Sequence, residues 1–330
     1  MQPIDESHSI VLVTGASGFV GQTIVETYRS AGIRVKATGK RLHSPWSDAD
    51  YHPADIVDDK AFAHLCRQVD CVVHSAGLAH KFDGMHSPSD MFEQINVNGT
   101  VNVVFHAIRA GVRHFILISS VSVYGTHPFP CHEDTLCRPE GVYAQSKFTA
   151  EQKAIDMAES AGMPLTILRL ATVYGEGDPG NVGRLLRTID RNRFIWIGDG
   201  CNRKSLIHRE DVARACLAVL SAPATGTRIF NLSALPCTMQ EVVEGLAANL
   251  GRRLPYWHIP TPIALTASGV VSKILPISRL QTFHNTVQKW VTDDVYDATK
   301  FCETFDFQPQ VSLAEGLQRE VAWYRQHASA

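Results

Sequence analysis

Tyr143 and Lys147 stand four residues apart in the stretch YAQSK, at the start of a segment with helical spacing. Residues at i and i+4 share one face of a helix, so the lysine ammonium is expected beside the phenol. A free tyrosine, with a pKa of about 10, is a poor base at neutral pH, and a nearby ammonium lowers that pKa by favouring the phenolate. The pair therefore predicts proton exchange with a substrate hydroxyl or carbonyl oxygen, while the carbon of that group exchanges hydride with a nicotinamide.

Ser120 ends the predicted strand FILISS, at the sheet edge where open α/β sheets bind ligands. Its hydroxyl is therefore expected to bond the same substrate oxygen. Tyr-x-x-x-Lys alone also arises by chance, as an exposed helix pair. Its position behind this serine, and far downstream of a glycine motif, favours a catalytic set of Ser120, Tyr143 and Lys147.

The stretch LVTGASGFVG has three glycines at intervals of three residues, between a run of apolar β-forming residues and a helical pattern. This order of strand, glycine turn and helix is the context that a dinucleotide-binding site needs. The first glycine permits a tight turn, the second the approach of a pyrophosphate to the backbone and helix N-terminus, and the third close packing of helix on strand. A glycine loop that binds nothing is the alternative. The candidate cofactor contacts in this turn are Gly15, Ser17, Gly18, Phe19, Val20 and Gly21.

The second predicted strand ends in ATGKR. NAD-specific enzymes usually have Asp or Glu at this point, which accepts a hydrogen bond from the ribose 2′-hydroxyl. Here Gly39 takes that place and is followed by Lys40 and Arg41, two cations that can bind a 2′-phosphate. The sequence therefore predicts NADP as the preferred cofactor and NAD as the alternative, and a solvated charge pair is the other interpretation.

Composition excludes several classes of protein. The 330 residues, 45% hydrophobic and 19% charged, suffice for two lobes around a sizeable core. A net charge of −2 gives no reason to expect a nucleic-acid partner or a polybasic membrane anchor. The polar N-terminus does not resemble a signal peptide, and eight cysteines without a C-x-x-C spacing indicate neither a zinc site nor a redox dithiol. We therefore expect a cytoplasmic protein with reduced thiols and no bound metal.

Strand and helix patterns alternate through the first half, which predicts a Rossmann-type, doubly wound parallel sheet with helices on both faces. After Gly175 the regular alternation stops, and loops rich in Gly, Asp and Asn appear. We therefore predict an NAD(P)-binding domain over residues 1–175 and mainly a substrate-binding lobe over 176–330, with 205–235 returning to the first domain. Thr238 and Glu241 have the spacing of a helix capping box.

Residues 254–272 form the longest uncharged stretch, LPYWHIPTPIALTASGVVS. Prolines interrupt it, and its apolar part is too short to span a bilayer. A partly buried segment of the smaller lobe is the favoured interpretation, and a membrane-surface patch is the alternative.

Eight motifs occur in the order and spacing of the extended short-chain dehydrogenases/reductases: TGASGFVG, VVHSAG, NVNGT, ISSVSVYG, YAQSK, LRLATVYGEGD, SLIHREDVARA and VSLAEGLQREVAWYR. More narrowly, the chain resembles the NAD(P)-dependent nucleotide-sugar epimerase/dehydratase group, and GLAHKF is similar to the epimerases and 4-ketoreductases of surface-polysaccharide pathways. The resemblance covers nearly the whole chain. It implies a Rossmann lobe, a small lobe that grips a nucleoside diphosphate sugar, the Ser-Tyr-Lys set, and a homodimer formed through the helices that begin near Asn96 and Tyr143.

The resemblance also implies further contacts with both ligands. In the cofactor site these are Asp55 and Ile56, at the adenine end, together with Ala76 and Gly77. In the substrate site, GDGCNRKSLIH matches a segment that brings a cation to the diphosphate, and a helix opening near GDPGNVGRLL is expected to face the same phosphates. The candidate substrate residues are Ser122, Thr172, Asn181, Arg203 and Lys204.

Dehydratases of this group carry an acidic pair directly after the position of Ser120, where this chain has Val121 and Ser122. The resemblance therefore implies epimerisation, at C4 through a 4-keto sugar, rather than 4,6-dehydration. One-way reduction of a 4-keto sugar nucleotide or of a non-sugar carbonyl is the alternative. A dinucleotide-sensing protein without catalysis is disfavoured by the intact Ser-Tyr-Lys set.

Overall fold

The computed structural model describes residues 9–46, 50–79, 88–128, 130–266 and 291–327. These residues form two compact units, each described by itself. The first unit comprises the described parts of Met1–Ala171, Arg209–Leu232 and Asp297–Gln308, and the second those of Thr172–His208, Ser233–Tyr296 and Pro309–Ala330. Part of GLAHKF and the end of the uncharged stretch, residues 80–82 and 267–272, lie outside the described residues.

Elements are numbered in chain order. The first unit contains β1 (Ile10–Thr14), α1 (Phe19–Ser30), β2 (Arg34–Gly39), β3 (Asp50–Pro53), α2 (Asp59–Leu65), β4 (Cys71–His74), α3 (Pro88–Phe92), a π-helical turn (Glu93–Asn98), α4 (Gly99–Arg109), β5 (His114–Ser120), a 3₁₀ turn (Val121–Tyr124), α5 (Gly141–Ala161), β6 (Leu165–Leu170), α7 (Arg209–Ser221), β11 (Thr227–Leu232) and α9 (Thr299–Phe305). The second contains β7 (Thr172–Tyr174), α6 (Asn181–Asp190), β8 (Trp196–Ile197), β9 (Arg203–Lys204), β10 (Leu206–His208), β12 (Cys237–Thr238), α8 (Met239–Leu250), β13 (His258–Ile259) and α10 (Leu313–His327), with helical residues also at 261–266.

Seven parallel strands form the sheet of the first unit, in the order β3-β2-β1-β4-β5-β6-β11. The chain proceeds outward from β1 in both directions, so the strand order reverses between β1 and β4. Open α/β sheets bind ligands at the carboxyl ends of the strands beside such a reversal. Strands β4 and β6 are buried throughout, as expected for a parallel sheet covered on both faces. The predicted Rossmann-type sheet is confirmed.

The units differ in extent from the domains drawn from the sequence. The first part of the chain leaves the first unit after Ala171 rather than at 175, and residues 209–232 return to it, within the predicted 205–235. Residues 297–308, predicted in the substrate-binding lobe, also belong to the first unit. The reason is aromatic packing, because Phe301 and Phe305 lie with ring centroids 5.6 and 5.2 Å from Phe230 of β11.

The second unit is built around three helices, α6, α8 and α10, whose apolar side chains share one core. The predicted capping box begins α8: Thr238 Oγ1 accepts from Glu241 N at 3.1 Å, and Glu241 Oε2 accepts from Thr238 N at 2.6 Å. Of the helices in the described ranges, none is both long and apolar enough to cross a membrane.

Glu320, on α10, is a carboxyl group buried in the second unit with only 2% of its surface exposed. Burial raises its pKa to about 9, the charges of Asp178 and Glu176 add to the shift, and the Gly175 backbone and Arg187 oppose it. The folded chain therefore holds a proton at Glu320 that an unfolded chain, with a glutamate pKa of about 4.3, has already lost at neutral pH.

A buried carboxyl with a raised pKa destabilises the fold as the pH rises. The free energy of unfolding should fall between about pH 5 and the folded-state pKa of about 9, because the unfolded state releases its proton first. Glu320→Gln copies the neutral form and should raise the free energy of unfolding at pH 8 by at least about 1 kcal/mol, with little effect at pH 4.5. Urea titrations across this range measure the change.

Glu315→Gln is the control, because Glu315 lies on the same helix with 52% of its side chain exposed. This change should stay within about 0.5 kcal/mol at each pH. Identical pH dependence of unfolding in the wild type and Glu320→Gln would contradict the prediction.

Candidate cofactor and active site

Neither Gly15, in the turn after β1, nor Gly21, in the first turn of α1, has room for a side chain. Gly15 has a φ of +66°, and a Cβ there would lie 2.6 Å from the backbone nitrogen of Ala76, just beyond β4. A Cβ on Gly21 would lie 2.1 Å from the carbonyl oxygen of Gly15. Helix α1 therefore packs directly against the turn, as the glycine spacing predicted.

The N-terminus of α1 offers the donors that a pyrophosphate needs. Gly18 precedes the helix, and no side chain of the described residues caps it. Gly18 is exposed, and Ser17, Phe19 and Val20 beside it are half-buried. The first N–H groups of a helix have no partner within it and carry the positive end of its dipole. These residues therefore fit a dinucleotide, whose pyrophosphate would be held by the N–H groups of the turn.

A cation that the sequence did not indicate lies on the first turns of α1. The guanidinium carbon of Arg209, at the start of α7, lies 5.1 Å from the ring centroid of Phe19, and Arg209 Nε donates to Thr23 Oγ1. Helix α7 is remote from α1 in the chain, so no spacing could have indicated the contact.

The end of β2 carries the residues predicted to select the cofactor. A Cβ on Gly39 would lie 2.6 Å from Ser17 Oγ, so the strand end and the glycine turn are in close contact. Lys40 Nζ forms an ion pair with Asp55 Oδ2 at 2.9 Å, and Arg41 is exposed. Lys40 and Asp55 were predicted as two independent contacts with the cofactor. In the structure the Asp55 carboxylate partly neutralises Lys40, one of the two cations predicted to bind a 2′-phosphate.

The other predicted cofactor contacts differ in exposure. Ile56 is 5% exposed and packs beneath α4, where a Cβ on Gly99 would lie 2.5 Å from its Cδ1. Ala76 N donates to Thr14 Oγ1 at 3.2 Å, and a Cβ on Gly77 would lie 3.2 Å from Asn96 Oδ1. The side chain of Ile56 thus belongs to the core, while Ala76 and Gly77 lie beside the glycine turn.

A buried chain of hydrogen bonds joins the end of β4 to α5. His74 Nε2 bonds Thr100 Oγ1 at 3.0 Å, and Thr100 donates its hydroxyl hydrogen to Asn96 O at 2.6 Å, so His74 is the donor to Thr100. Asn96 Nδ2 donates to Ser146 Oγ at 2.9 Å, and Ser146 donates to Tyr143 O at 2.8 Å. Burial lowers the pKa of His74 to about 3, so the ring is neutral at physiological pH and acts structurally.

The three predicted catalytic residues meet at the carboxyl end of β5. Ser120 Oγ accepts from Ser122 N at 3.2 Å, and Tyr143 lies half-buried in the first turn of α5. Burial raises the pKa of Tyr143, and a hydrogen bond with Ser120 opposes that shift. Lys147 Nζ donates to Ile118 O at 2.6 Å.

The expected effect of Lys147 on Tyr143 is not observed. Burial of the phenol outweighs the opposing hydrogen bond with Ser120, so the pKa of Tyr143 lies above its ordinary value rather than below it. Burial also lowers the pKa of Lys147 to about 8, with Glu151 opposing the shift. A low-dielectric surrounding disfavours the charged form of each group, and that single cause moves the two pKa values in opposite directions.

Glu151 is a charged partner of this site that the sequence analysis missed. It lies one turn beyond Lys147 on α5, is fully buried, and accepts from Arg169 Nη2 of β6 at 2.7 Å and from Arg169 Nε at 3.2 Å. Arg169 is 3% exposed, and its guanidinium carbon lies 4.9 Å from the Tyr124 ring centroid. The four-residue spacing of Tyr143, Lys147 and Glu151 could have indicated that Glu151 shares their face of the helix. It could not have indicated Arg169, which lies on a separate strand.

Two candidate substrate residues of the second unit form one short strand. Arg203 and Lys204 are β9, and adjacent residues of a strand point to opposite faces. Lys204 Nζ donates to Thr292 O at 2.8 Å, whereas Arg203 is exposed. The two cations, predicted to clamp one diphosphate together, therefore leave the strand in different directions.

Asn181 begins α6, as predicted, and its Oδ1 accepts from Arg184 Nη2 at 2.5 Å. The N-terminus of this helix is already capped, because the Asp178 carboxylate accepts from Gly180 N at 2.5 Å and from Gly183 N at 2.8 Å. A carboxylate in that position competes with the phosphates that the helix was expected to face. Thr172, in β7, is half-buried and pairs with β10.

The sheet order and the glycine turn define a Rossmann-type dinucleotide-binding fold. Residues 11–233, more than half of the chain, match the model of the NAD dependent epimerase/dehydratase family. The chain therefore belongs to this family of enzymes.

Individual relatives carry different activities. The chain is 29% identical to the N-acetyl-alpha-D-glucosaminyl-diphospho-ditrans,octacis-undecaprenol 4-epimerase of Escherichia coli O157:H7, over 96% of each chain. It is 28% identical to the 2-alkyl-3-oxoalkanoate reductase of Stenotrophomonas maltophilia, over 94% of this chain and 97% of the relative. The solved structure of MoeE5 with UDP-glucuronic acid and NAD is 25% identical, with a TM-score of 0.77, over 96% of this chain and 99% of MoeE5.

The buried pair of Glu151 and Arg169 generates a test of stability. Glu151→Ala leaves a guanidinium buried without its partner and should lower the free energy of unfolding by about 3–5 kcal/mol. Glu159→Ala, at an exposed position of the same helix, should change it by less than about 0.5 kcal/mol. Urea unfolding of Glu151→Ala, of Arg169→Ala and of the double variant Glu151→Ala/Arg169→Ala gives the coupling between the two side chains. Additive losses in the double variant would show that the two side chains do not act as a pair.

Proposed function

We propose that this protein catalyses NAD(P)-dependent epimerisation at C4 of a nucleoside diphosphate sugar, through a 4-keto intermediate. The observation that carries the proposal is the meeting of Ser120, Tyr143 and Lys147 at the carboxyl end of β5, in the unit that also holds the glycine turn. The names of two relatives support it, since one is a 4-epimerase of a sugar diphosphate and the other was solved with UDP-glucuronic acid and NAD.

Each residue of the set has a distinct role in this proposal. Tyr143 takes the proton of the sugar hydroxyl when the sugar is oxidised and returns it when the keto group is reduced. Ser120 holds the same oxygen by a hydrogen bond, and we propose that Lys147 holds the ribose of the nicotinamide. The bound dinucleotide supplies the hydride acceptor and donor. The residues that would hold it are those of the glycine turn and the first turn of α1.

A second candidate is one-way, NADPH-dependent reduction of a 4-keto sugar nucleotide or of a non-sugar carbonyl. The raised pKa of Tyr143 favours it, because a phenol that keeps its proton at neutral pH is already the acid that a carbonyl oxygen needs. The relative named as an oxoalkanoate reductase supports the non-sugar form. We propose that 4,6-dehydration does not occur, because Val121 and Ser122 follow Ser120 where dehydratases carry carboxylates.

The remaining parts of the proposal concern ligands and assembly. Arg203 is proposed as the cation for the diphosphate, since it is the exposed member of β9. NADP is proposed as the preferred cofactor on the residues Gly39, Lys40 and Arg41. A cytoplasmic homodimer through α4 and α5 is also proposed, and the 41% exposure of Phe105 on α4 supports it.

Tyr143→Phe tests the chemistry. Removal of the hydroxyl deletes the proton relay but keeps the ring, so turnover should fall by roughly 10²–10⁴-fold while dinucleotide affinity changes little. The assay supplies UDP-glucose, UDP-N-acetylglucosamine and UDP-glucuronic acid with NAD or NADP, and NMR detects the C4 epimers. Tyr324→Phe, in the second unit, serves as the matched control and should retain turnover.

The same assay, repeated with NADPH and either a 4-keto sugar nucleotide or a non-sugar ketone as substrate, separates the two candidate functions. An epimerase forms both epimers without net change in dinucleotide absorbance, whereas a reductase consumes one NADPH for each carbonyl reduced. Wild-type turnover by Tyr143→Phe would remove this residue from the mechanism.

The ion pair between Lys40 and Asp55 tests the cofactor preference. Asp55→Asn should release the lysine toward a 2′-phosphate and strengthen NADP binding relative to NAD by about tenfold, the size of one charge-assisted hydrogen bond. Lys40→Ala should shift the ratio in the opposite direction, and the exposed Lys60→Ala on α2 should leave it unchanged. Calorimetric dissociation constants for both cofactors give the ratio. A wild type that binds NAD more tightly would refute the NADP preference.

A further inference from the structure

The second unit has a surface cavity of about 590 Å³ between the end of α6, the loop before β8 and the loop before β13. Six of its lining residues are exposed, and the five besides Asn192 form what we call the aromatic–arginine face. They are Arg193, Ile195, Arg253, Tyr256 and Trp257.

Large apolar side chains dominate this face. Tyr256 is 95% exposed, Trp257 58% and Ile195 42%. Single exposed apolar residues are normal on a protein surface, but residues that line one cavity form a contiguous patch, and such patches mark interaction sites.

The two short strands next to the face, β8 and β13, are joined by backbone pairing, ring stacking and a side-chain hydrogen bond. Strands β8 and β13 pair in parallel, and the Trp196 and His258 rings stack with centroids 5.2 Å apart. His258 Nδ1 also bonds Gly198 O at 2.8 Å, and Phe194 packs edge-on against Trp196 at 4.9 Å. Tyr256 and Trp257 are thus exposed on a loop that leads directly into the paired strand β13.

The charge of the face has one sign. Of the described residues that line the cavity, two are arginines and none is a carboxylate. Neither Arg193 nor Arg253 has an ion-pair partner within the described ranges, whereas the neighbouring Arg252 is paired with Asp190 at 3.1 Å. Two free cations around an apolar cavity complement an anionic surface that also has an apolar interior.

A lipid bilayer with anionic headgroups has this combination of properties. Trp and Tyr are enriched at the boundary between hydrocarbon and water, because their rings are apolar at one end and polar at the other. Arginine beside them gains about 1 kcal/mol from the negative surface potential, enough for reversible but not permanent binding. The cavity volume is within the range of pockets that bind small molecules, so it could accommodate part of a lipid.

We propose that the aromatic–arginine face docks this protein reversibly on an anionic lipid bilayer, with Tyr256 and Trp257 inserted at the headgroup level and Arg193 and Arg253 beside the lipid phosphates. The proposal reverses the favoured interpretation of residues 254–272 for the part that includes Tyr256 and Trp257. It does not rest on the proposed catalytic activity, since docking needs neither cofactor nor substrate.

The test is flotation of the full-length protein with phosphatidylcholine vesicles that contain or lack phosphatidylglycerol. The bound fraction should be at least about fivefold larger on the anionic vesicles and should fall as salt screens the arginines. Tyr256→Ser/Trp257→Ser and Arg193→Gln/Arg253→Gln should each remove most of this binding. These side chains are exposed, so thermal unfolding of the variants should match the wild type.

The matched controls are Leu136→Ser, which removes a side chain 65% exposed in the first unit, and Arg67→Gln, at an exposed position just after α2. Both should float like the wild type, and so should Tyr143→Phe, which separates docking from catalysis. Wild type that stays with the buffer, or an aromatic variant that floats normally, would overturn the proposal. Concentration-dependent self-association, lost in Tyr256→Ser/Trp257→Ser without any vesicle binding, would instead assign the face to a second copy of the chain.

Discussion

The close approach of backbone to backbone at the ends of β1 and β4 is the constraint on which the first unit depends. Gly15 touches the backbone of Ala76, and Gly21 touches Gly15, at distances that no Cβ could occupy. Any side chain at either glycine would separate β1 from β4 or lift α1 from the turn. The same contacts set the N-terminus of α1 over the point where the strand order reverses, so the sheet and the candidate cofactor site have one physical cause.

Burial controls the electrostatics of α5. Tyr143, Lys147 and Glu151 follow one another at intervals of four residues on α5, and Arg169 of β6 forms an ion pair with the last of them. A low dielectric raises the pKa of the phenol and lowers that of the ammonium, which reaches about 8. Glu151 keeps Lys147 more basic than burial alone would, while its own charge is balanced by Arg169. The predicted catalytic set is thus coupled, through Lys147, to the buried ion pair of Glu151 and Arg169.

Two helix N-termini show how local capping decides what a helix can bind. At α1, Gly18 offers no side chain to the first N–H groups, which leaves them for an anion. At α6, the Asp178 carboxylate already accepts from Gly180 and Gly183. Both helices follow glycine-containing turns, so the difference lies in one carboxylate rather than in helix geometry.

The parallel sheet, the glycine turn, the capping box at Thr238 and the shared helix face of Tyr143 and Lys147 could all be predicted from the sequence, because each follows from periodicity or from local spacing. Three contacts became visible only in the folded chain: the ion pair of Lys40 with Asp55, the ion pair of Glu151 with Arg169, and the packing of Phe301 on Phe230. Each of these contacts joins two separate elements, and the spacing of residues along the sequence does not show which elements pack against each other. The same holds for the direction of the Tyr143 pKa shift, since burial depends on everything that packs around a residue, and for the exposure of Trp257, which lies in a stretch predicted to be partly buried.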